Sequence, residues 1–600
     1  MRASRLAAVL LCYLLVVLWL TWPLARHFGH RLPNPWMGAQ IDPLLIAWVL
    51  SWQSHALISD PASFANANIF HPHSHALFYG EAGFGALPYF LPVFAATGNP
   101  VLASNMTFVI CVALTATSLH WVVFRWTRSH ASAAVGACTF LTTRWVLWVG
   151  IPCAINYAVL QYIPLIVYCV AAPGLSRRRE RVLTLMLFVQ GLTSVYVAAS
   201  VLASVWISGM LQVCRGATRD DGRRIVTAVA KSALLLAIAY AGYLVVRWEN
   251  PNIISQSPWS RFQRDTVMPW GPLSYWSPTG IPAVSVLLIV LGAALGRGRR
   301  KTLVMARAWR VAWTWLVVGL LIQITATIWW HGREIPLPWS LLSWMPGAVL
   351  FRDAARLGVC GLIALSLLAG MASSVLLKRI TSAWQSRNGV AAVASSVFVG
   401  AMSCALWVEY RQGIPALTEV RRQAIQVVDR NTGLGFAMGG FIPTGPLPSS
   451  YPVSEPSGKP PEELLTVLRD SGGALLELPI RDPSAVGRMM DSGGGSPRFQ
   501  VEAMYGSIFH WRSLLNGYQG YWPADFPDRM GIAEQMPSHE AVALLRKEAG
   551  LELVLVHIDR VPPEQRAQWL RLANGDRLDE PVRLIAREGS TLLFRIQEAS

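Results

Sequence analysis

The sequence predicts a polytopic α-helical membrane protein with about eleven transmembrane helices, followed by a C-terminal α/β domain. Hydrophobic residues make up 53% of the 600 residues and charged residues only 14%, which departs from the usual composition of soluble domains. The apolar residues gather into runs close to the 20 residues that a helix needs to cross a bilayer. Residues 411–600 contain no such run and read instead as alternating strands and helices.

The net charge of +17 is unevenly distributed along the chain. Residues 411–600 hold 20 basic and 23 acidic residues, whereas residues 1–410 hold 31 basic and 11 acidic ones. The basic excess lies in short segments between apolar runs, which is the pattern that orients membrane proteins with positive loops inside. The charge therefore indicates membrane topology, and we predict no nucleic-acid partner.

The topology follows from these basic segments. Arg2 and Arg5 precede the first apolar run, which predicts a cytoplasmic N-terminus and a retained anchor. A cleaved signal peptide is the alternative, but the run is long for one and no clear cleavage site follows it. An odd number of spans places the C-terminal domain in the periplasm of a bacterium, outside the inner membrane. The predicted spans are 6–24, 101–124, 131–150, 155–173, 182–194, 195–214, 226–246, 281–296, 308–328, 358–377 and 389–409.

Three parts of the chain are predicted. Residues 1–410 form a transmembrane domain, and residues 25–100 within it form a periplasmic segment that we call the first loop. Residues 411–460 are a linker, because Thr444–Pro461 is rich in Pro, Ser and Gly. Residues 461–600 form the α/β domain.

The first loop contains two apolar stretches, Pro43–Trp52 and Gly83–Ala96, that are too short to span comfortably. Both carry Trp or Tyr, which predicts helices lying in the membrane interface. In the C-terminal domain we predict strands at Ala474–Pro479, Leu551–His557, Val582–Ala586 and Thr591–Ile596, and helices near Ser538–Glu548 and Pro563–Leu572.

The carboxylates of the transmembrane domain favour an enzyme over an ion-coupled transporter. None falls in the middle of a predicted span, where a transporter would hold its coupling ions. Most converge on the periplasmic side, as an active site at the membrane surface requires. These are Asp42, Asp60, Glu81, Glu249, Asp265, Glu334, Asp353 and Glu409.

Asp42 is the strongest catalytic candidate. It follows the first span and begins an amphipathic stretch, so its carboxylate can act as a general base on an acceptor hydroxyl. The alternative is structural, since an Asp before a Pro such as Pro43 is a common helix start. Glu81, in the same loop, is the candidate for a second catalytic carboxylate.

His71, His73 and His75 alternate along one stretch of the first loop. On an extended segment such side chains can share one side and bind a metal. Polar contacts within the loop and contact with a substrate are the other interpretations, and we include His71 and His73 among the candidate substrate-binding residues.

Later periplasmic segments supply candidate phosphate ligands. Arg261, Arg264 and Asp265 precede an aromatic run, and Arg352 and Arg356 are spaced to share one helical face. Arginine binds phosphate through two parallel hydrogen bonds. Arginines at helix ends also anchor proteins to lipid headgroups, which is the alternative for each of them.

Several stretches resemble a group of bacterial membrane proteins classed as GT-C-like. The GT-C superfamily includes protein O-mannosyltransferases, lipid A aminoarabinose transferases and oligosaccharyltransferases. The stretches that carry the resemblance are 42–48, 67–72, 351–356, 476–479 and 510–521.

The resemblance implies a glycosyltransferase that uses a polyprenyl-phosphate-linked sugar donor and a glycan, lipid or protein acceptor. Membrane lipids are further expected partners. It implies that Asp42 is the general base and that Arg352 and Arg356 bind the donor phosphate. Many members have two adjacent acidic residues, whereas Ile41 precedes Asp42 here. We therefore assign no cofactor, and a divalent metal is the open alternative.

Two other functions remain open at this stage. A transporter or flippase for lipid-linked sugars would need a polar path through the helix bundle. A non-catalytic membrane scaffold would use the C-terminal domain to bind partners, and an inaccessible Asp42 without an adjoining cavity would favour it.

Overall fold

The computed structural model describes most of the chain. The described residues are 3–34, 40–252, 254–255, 281–296, 303–322, 327–330, 333–336, 354–382, 388–413, 446–483, 493–575 and 581–597.

Helices dominate the chain up to residue 413, and each predicted span overlaps one or two of them. The helices are α1 (Ala3–Leu20), α2 (Ile41–Ser59), α3 (Leu87–Thr97), α4 (Pro100–Thr127), α5 (His130–Leu141), α6 (Tyr162–Ala171), α7 (Arg177–Gly191), α8 (Val195–Val213), α9 (Arg219–Ala239), α10 (Ala241–Glu249), α11 (Ala283–Leu295), α12 (Leu303–Ile322), α13 (Val359–Ser382) and α14 (Asn388–Gln412).

Fewer of these helices than predicted are long enough to span a membrane. Among the described residues, α1, α4, α8, α12, α13 and α14 are long and apolar enough, and the bent pair α9–α10 brings the number to seven. The ten residues of α6 extend about 15 Å, half the thickness of the hydrocarbon core. The predicted span 131–150 is broken, because α5 ends at Leu141 and a π-helical turn, Trp145–Val149, follows it. Eleven spans therefore stay a prediction.

Small residues allow the bundle helices to approach closely around α13, which is almost wholly buried. A Cβ added at Gly136 of α5 would lie 2.9 Å from the carbonyl oxygen of Ser366 on α13. A Cβ at Gly319 of α12 would clash with the backbone of Gly361 at the start of α13. Packing of backbone against backbone through glycine is what holds helices together where burial of apolar surface contributes little.

A four-stranded sheet forms the centre of the C-terminal sheet region. Its order is β6-β8-β10-β9, with β6 parallel to β8 and the other pairs antiparallel. The strands among the described residues are β1 (Leu32–Pro33), β2 (Ile254–Ser255), β3 (Thr327–Trp330), β4 (Arg333–Pro336), β5 (Val453–Ser454), β6 (Ala474–Leu478), β7 (Tyr521–Trp522), β8 (Leu551–His557), β9 (Val582–Glu588) and β10 (Thr591–Ile596).

Helices pack around this sheet. They are α15 (Glu462–Asp470), α16 (Pro497–Ser507), α17 (Phe526–Ala533), α18 (His539–Ala549) and α19 (Pro563–Asn574). The predicted alternation of strands and helices is confirmed, and β8 and β10 begin and end at the predicted residues. Both strands are rich in Leu, Val and Ile, which favour a buried pleated surface.

The first loop and the C-terminal sheet region are joined by backbone hydrogen bonds. The amide of Leu514 donates to the carbonyl of Asn68 at 2.8 Å, and the amide of His71 donates to the carbonyl of Leu514 at 2.8 Å. The amide of Phe70 donates to the carbonyl of Asn516 at 3.1 Å. Residues 68–71 therefore lie along residues 514–516 as an extended pair.

The side chain of Asn516 extends this joint to the sheet. Its amide oxygen accepts the backbone N–H of Glu477 in β6 at 2.7 Å, and its amide nitrogen donates to the carbonyl of the same residue at 3.0 Å. Three of the stretches that carry the sequence resemblance thus meet in one place. Their position explains them as packing residues that hold the first loop on the sheet region.

Helix α2 lies between the bundle and the sheet region. Ile46 and Leu50 belong to the hydrophobic core of the bundle, whereas Leu44 and Trp48 belong to that of the sheet region. The predicted interfacial helix at Pro43–Trp52 is therefore wrong in its environment, because protein covers it on nearly every side. Periodicity could not show this, since a helix buried all round has no distinct polar face.

The segment predicted as a linker makes specific contacts at its described end. β5 pairs antiparallel with β1 of the first loop, so that Leu32 faces Ser454. The amide of Tyr451 donates to the carbonyl of Trp22 at 3.0 Å, and the side-chain amide of Gln40 donates to the carbonyl of Ser454 at 3.1 Å. The chain beyond α14 therefore returns along the end of α1 before it enters the sheet region.

Candidate functional site

Glu81 is held at the junction of the first loop and the bundle by three hydrogen-bond donors. The hydroxyl of Ser194 donates to Oε1 at 2.6 Å. The hydroxyl of Tyr157 and the side-chain amide of Asn156 donate to Oε2 at 3.2 and 3.5 Å. The carboxylate itself is half-buried, while its three partners are almost fully buried. Its orientation is therefore set by the bundle.

Arg356 contacts the same tyrosine. It lies in the 3₁₀ turn Ala354–Gly358 that precedes α13, and its Nη1 donates to the hydroxyl of Tyr157 at 3.5 Å. The guanidinium carbon lies 5.5 Å from the ring centroid of Tyr157 and 5.7 Å from that of Tyr196. Two residues that sequence analysis selected separately, Glu81 and Arg356, thus meet at one phenol.

Local backbone features bring Glu81 to this position. The hydroxyl of Tyr243 donates to the carbonyl of Gly80 at 2.7 Å and accepts the amide of Ala82 at 3.1 Å. Gly83 then adopts a left-handed conformation, with φ of +61°, and a Cβ there would lie 3.0 Å from the side chain of Asn156. A residue other than glycine would be strained and crowded at this turn.

Asp42 lies elsewhere on α2. It is half-buried in the first turn of the helix, whose N-cap is Gln40. The alternative interpretation of Asp42 as the N-cap is therefore wrong, because the helix begins one residue before it. Gln53 of α2 donates its side-chain amide to the carbonyl of Ala82, next to Glu81. Gln53 lies about 16 Å from Asp42 along the axis of α2.

The three histidines of the first loop do not converge. His73 Nε2 lies 2.8 Å from Oδ1 of Asp525 at the start of α17, and His75 Nδ1 lies 2.8 Å from Oε2 of Glu249. His71 lines a separate cleft with His510. No group of three or more His, Cys, Asp or Glu side chains suited to a metal ion occurs in the described part of the chain. The shared metal site considered for these histidines is thus not formed.

The remaining predicted ligands cannot be placed. Arg261, Arg264, Asp265 and Arg352 lie outside the described residues, so their proposed contacts with substrate stay predictions.

Sequence analysis missed the uncharged members of the site. Asn156, Tyr157 and Ser194 fall at or beside the ends of predicted spans and were counted as parts of apolar runs. Polar side chains in such positions are a usable signal, since a buried hydroxyl or amide needs a partner. What the sequence could not show is that the partner is Glu81.

The site can bind an anion beside a fixed carboxylate. Arg356 offers donors in the planar arrangement that matches phosphate, and aromatic rings flank it. Glu81 accepts hydrogen bonds and cannot itself bind phosphate. A phosphate that carries a sugar can thus place the phosphate at Arg356 and its hydroxyl groups toward the carboxylate.

We expect the stability of the protein to fall as the pH decreases from 7 to 5, in part because of His510. Burial, with the charges of Arg512 and Arg469, lowers the pKa of this imidazole to about 3. The unfolded chain takes up the proton near pH 6.5, so the folded state loses about 1.4 kcal/mol per pH unit and per such histidine below that pH.

Burial also lowers the pKa of His55 and His71, and these residues add to the effect in the same direction. Denaturant unfolding of the full chain at pH 7, 6 and 5 measures the slope of the free energy of unfolding against pH. His510→Asn should reduce this slope by the contribution of one histidine. An unchanged slope would contradict a buried, neutral His510.

The described structure is that of a multi-pass membrane protein whose first loop and C-terminal sheet region share one core. It is similar to arabinofuranosyltransferase AftD from mycobacteria, with a TM-score of 0.49 and 14% identity over 100% of this chain and 40% of that one. The chain thus spans less than half of that protein. A second similar structure is the oligosaccharyltransferase of Archaeoglobus fulgidus in complex with zinc and sulfate, with a TM-score of 0.40 and 11% identity over 92% of this chain and 68% of that one.

Both are glycosyltransferases by name. The substrates in those names belong to those proteins. No protein-family model and no curated protein sequence matches the chain.

Proposed function

We propose that the protein is a membrane glycosyltransferase that moves a sugar from a polyprenyl-phosphate donor to an acceptor on the periplasmic side. The observation that carries the proposal is the convergence of Glu81 and Arg356 on the hydroxyl of Tyr157. It joins a donor-rich anion site to a fixed carboxylate where the first loop meets the bundle.

In this proposal Arg356 binds the donor phosphate and stabilises the polyprenyl phosphate as it leaves. Glu81 is a positioning residue, because it holds the hydroxyl of Tyr157 that Arg356 contacts. An acceptor hydroxyl attacks the anomeric carbon, the bond from that carbon to the phosphate oxygen breaks, and the hydroxyl proton passes to a general base.

We assign the base to Asp42. Displacement at the anomeric carbon brings the acceptor in opposite the leaving phosphate, so the base belongs on the far side of the sugar from Arg356. Glu81 shares a hydrogen-bonded tyrosine with Arg356 and therefore lies on the phosphate side. Arg352, Arg261 and Arg264 are proposed as further phosphate ligands, and His71, His73 and Asp265 as substrate contacts.

The first experiment gives purified protein a panel of radiolabelled polyprenyl-phosphate sugars and a membrane extract as the source of acceptor. Transfer of label into a product establishes the activity and identifies the donor. If no donor yields a product while labelled lipid crosses proteoliposome membranes, the function is transport.

With the donor known, we expect Arg356→Gln to raise its KM by about one to two orders of magnitude, because a hydrogen bond to charged phosphate is lost. Glu81→Gln should raise the KM in the same direction, and the double variant should be less impaired than the sum of both, since both act on one tyrosine.

Arg310→Gln is the matched control, because this arginine is exposed on α12 and should leave the KM unchanged. A KM for Arg356→Gln equal to that of the wild type would remove the phosphate site from this position.

A further inference from the structure

A cavity with a largely aromatic lining lies apart from the proposed active site, where α1 and α14 end. Its volume is about 590 Å³ and its walls include Trp19, Trp148, Trp407, Arg411 and Tyr451. We call it the aromatic cavity. The rings of Trp19 and Trp407 stack 6.1 Å apart on its outer side, and those of Trp148 and Tyr451 meet edge-on at 5.7 Å on its inner side.

Two buried donors in these walls have no hydrogen-bond partner among the residues that the structure describes. The indole Nε1 of Trp148 and the hydroxyl of Tyr451 are buried and make no hydrogen bond in the described part of the chain, although the residues are only 2% and 4% exposed. Leaving such groups unpaired costs about 1–3 kcal/mol each. Two such donors in the walls of one cavity point to a bound acceptor.

The charge around the cavity is positive. Among the described residues, no hydrogen-bond or ion-pair partner of the Arg411 guanidinium is found, while its backbone carbonyl accepts the amide of Leu447 at 2.7 Å. Arg26 stacks over Trp22, another wall residue, with its guanidinium 4.9 Å from the ring centroid. None of the described residues that line the cavity is acidic.

We propose that the aromatic cavity binds the headgroup of an anionic, phosphate-bearing lipid. Indole N–H and guanidinium groups only donate, so with the tyrosine hydroxyl they require a ligand rich in acceptors, and a phosphate also neutralises Arg411. The proposal stands independently of the proposed function.

The surroundings of the cavity favour a lipid over a free anion. The spanning parts of α1 and α14 are only 11% and 6% buried within the protein, so acyl chains can lie along both helices below the cavity. Trp19 and Trp407 are 61% and 37% exposed at their ends, and tryptophans of this kind lie at the headgroup level of a bilayer.

The test measures lipid binding to the purified full chain by native mass spectrometry and by the thermal shift that each lipid produces. The probes are phosphatidylglycerol, diacylglycerol with the same acyl chains, and inorganic phosphate. We expect phosphatidylglycerol to bind and stabilise, diacylglycerol to bind at least tenfold more weakly, and inorganic phosphate to produce no shift at the same concentration.

Two variants address the site itself. Tyr451→Phe and Arg411→Gln should each weaken phosphatidylglycerol binding about tenfold, through loss of one hydrogen bond to a charged group. Tyr451→Phe should leave the lipid-free melting temperature unchanged or raise it, because the hydroxyl has no hydrogen-bond partner in the described part of the chain. This result separates loss of binding from loss of folding.

Tyr505→Phe in the sheet region is the control and should bind lipid like the wild type. The proposal is overturned if both cavity variants bind phosphatidylglycerol as the wild type does, or if diacylglycerol binds equally well. An equal thermal shift with inorganic phosphate would overturn the proposal that the bound phosphate belongs to a lipid.

Discussion

Asp42→Asn is expected to lower the rate of sugar transfer by two to four orders of magnitude at unchanged expression and folding. The amide keeps the shape of the carboxylate but cannot accept the proton of the acceptor hydroxyl, and general-base catalysis contributes about 10²–10⁴ in rate. The measurement is transfer of radiolabel from the donor found in the panel, with saturating donor so that the change is seen in kcat.

Asp60→Asn is the matched control, because Asp60 lies at the other end of α2. Its carboxylate accepts the amide of Ala62 at 3.2 Å and caps a short 3₁₀ turn. Its replacement should cost at most about 1–2 kcal/mol of stability and should not alter kcat. Equal transfer by the wild type and Asp42→Asn would leave the enzyme class intact and shift the base to another carboxylate, with Glu81→Gln the next variant to assay.

Phe70→Ala is expected to destabilise the protein by about 3–5 kcal/mol, the usual cost of deleting a buried phenyl ring. Phe70 is fully buried. Its ring lies 5.4 Å from that of Tyr79 and meets the ring of Phe526 edge-on at 4.8 Å. The site of Gly517 leaves no room for a Cβ beside this ring. The cavity would open between the first loop and the sheet region.

Denaturant unfolding in detergent, together with limited proteolysis of the first loop, would measure this effect. Phe64→Ala is the control in the same loop, because Phe64 is only half-buried and stacks on Phe84 at 6.1 Å. Phe64→Ala should lower the free energy of unfolding clearly less than Phe70→Ala does. A loss below about 1 kcal/mol for Phe70→Ala would show that the joint between the two parts contributes little to stability.

Local signals in the sequence were sufficient for much of the secondary structure. β8 and β10 have the predicted bounds because runs of apolar and β-branched residues favour strands over a short range. α18 and α19 begin at the predicted positions, with Ser538 as the N-cap of α18. The same signals failed for α6 and for the segment after α5, because hydropathy counts apolar residues and does not detect where a helix breaks.

The candidate site was only partly predictable. Glu81 and Arg356 were both selected from the sequence, since carboxylates and arginines are few outside the basic loops. Their meeting at Tyr157 joins residues far apart in the chain, and no spacing rule relates them. Asp42 was selected as well, and its place in the first turn of α2, with Gln40 as the cap, came from the structure.

The sequence by itself determined the class of protein, the course of the helices and the side chains worth testing, because hydropathy, charge and residue type act locally along the chain. The tertiary structure decided which of those side chains meet. The shared contact of Glu81 and Arg356 with Tyr157, the joint of Phe70 with the sheet region and the unpaired donors of Trp148 and Tyr451 all depend on packing between distant segments. Such packing follows from the shapes of complementary surfaces, which no local pattern in a single sequence records.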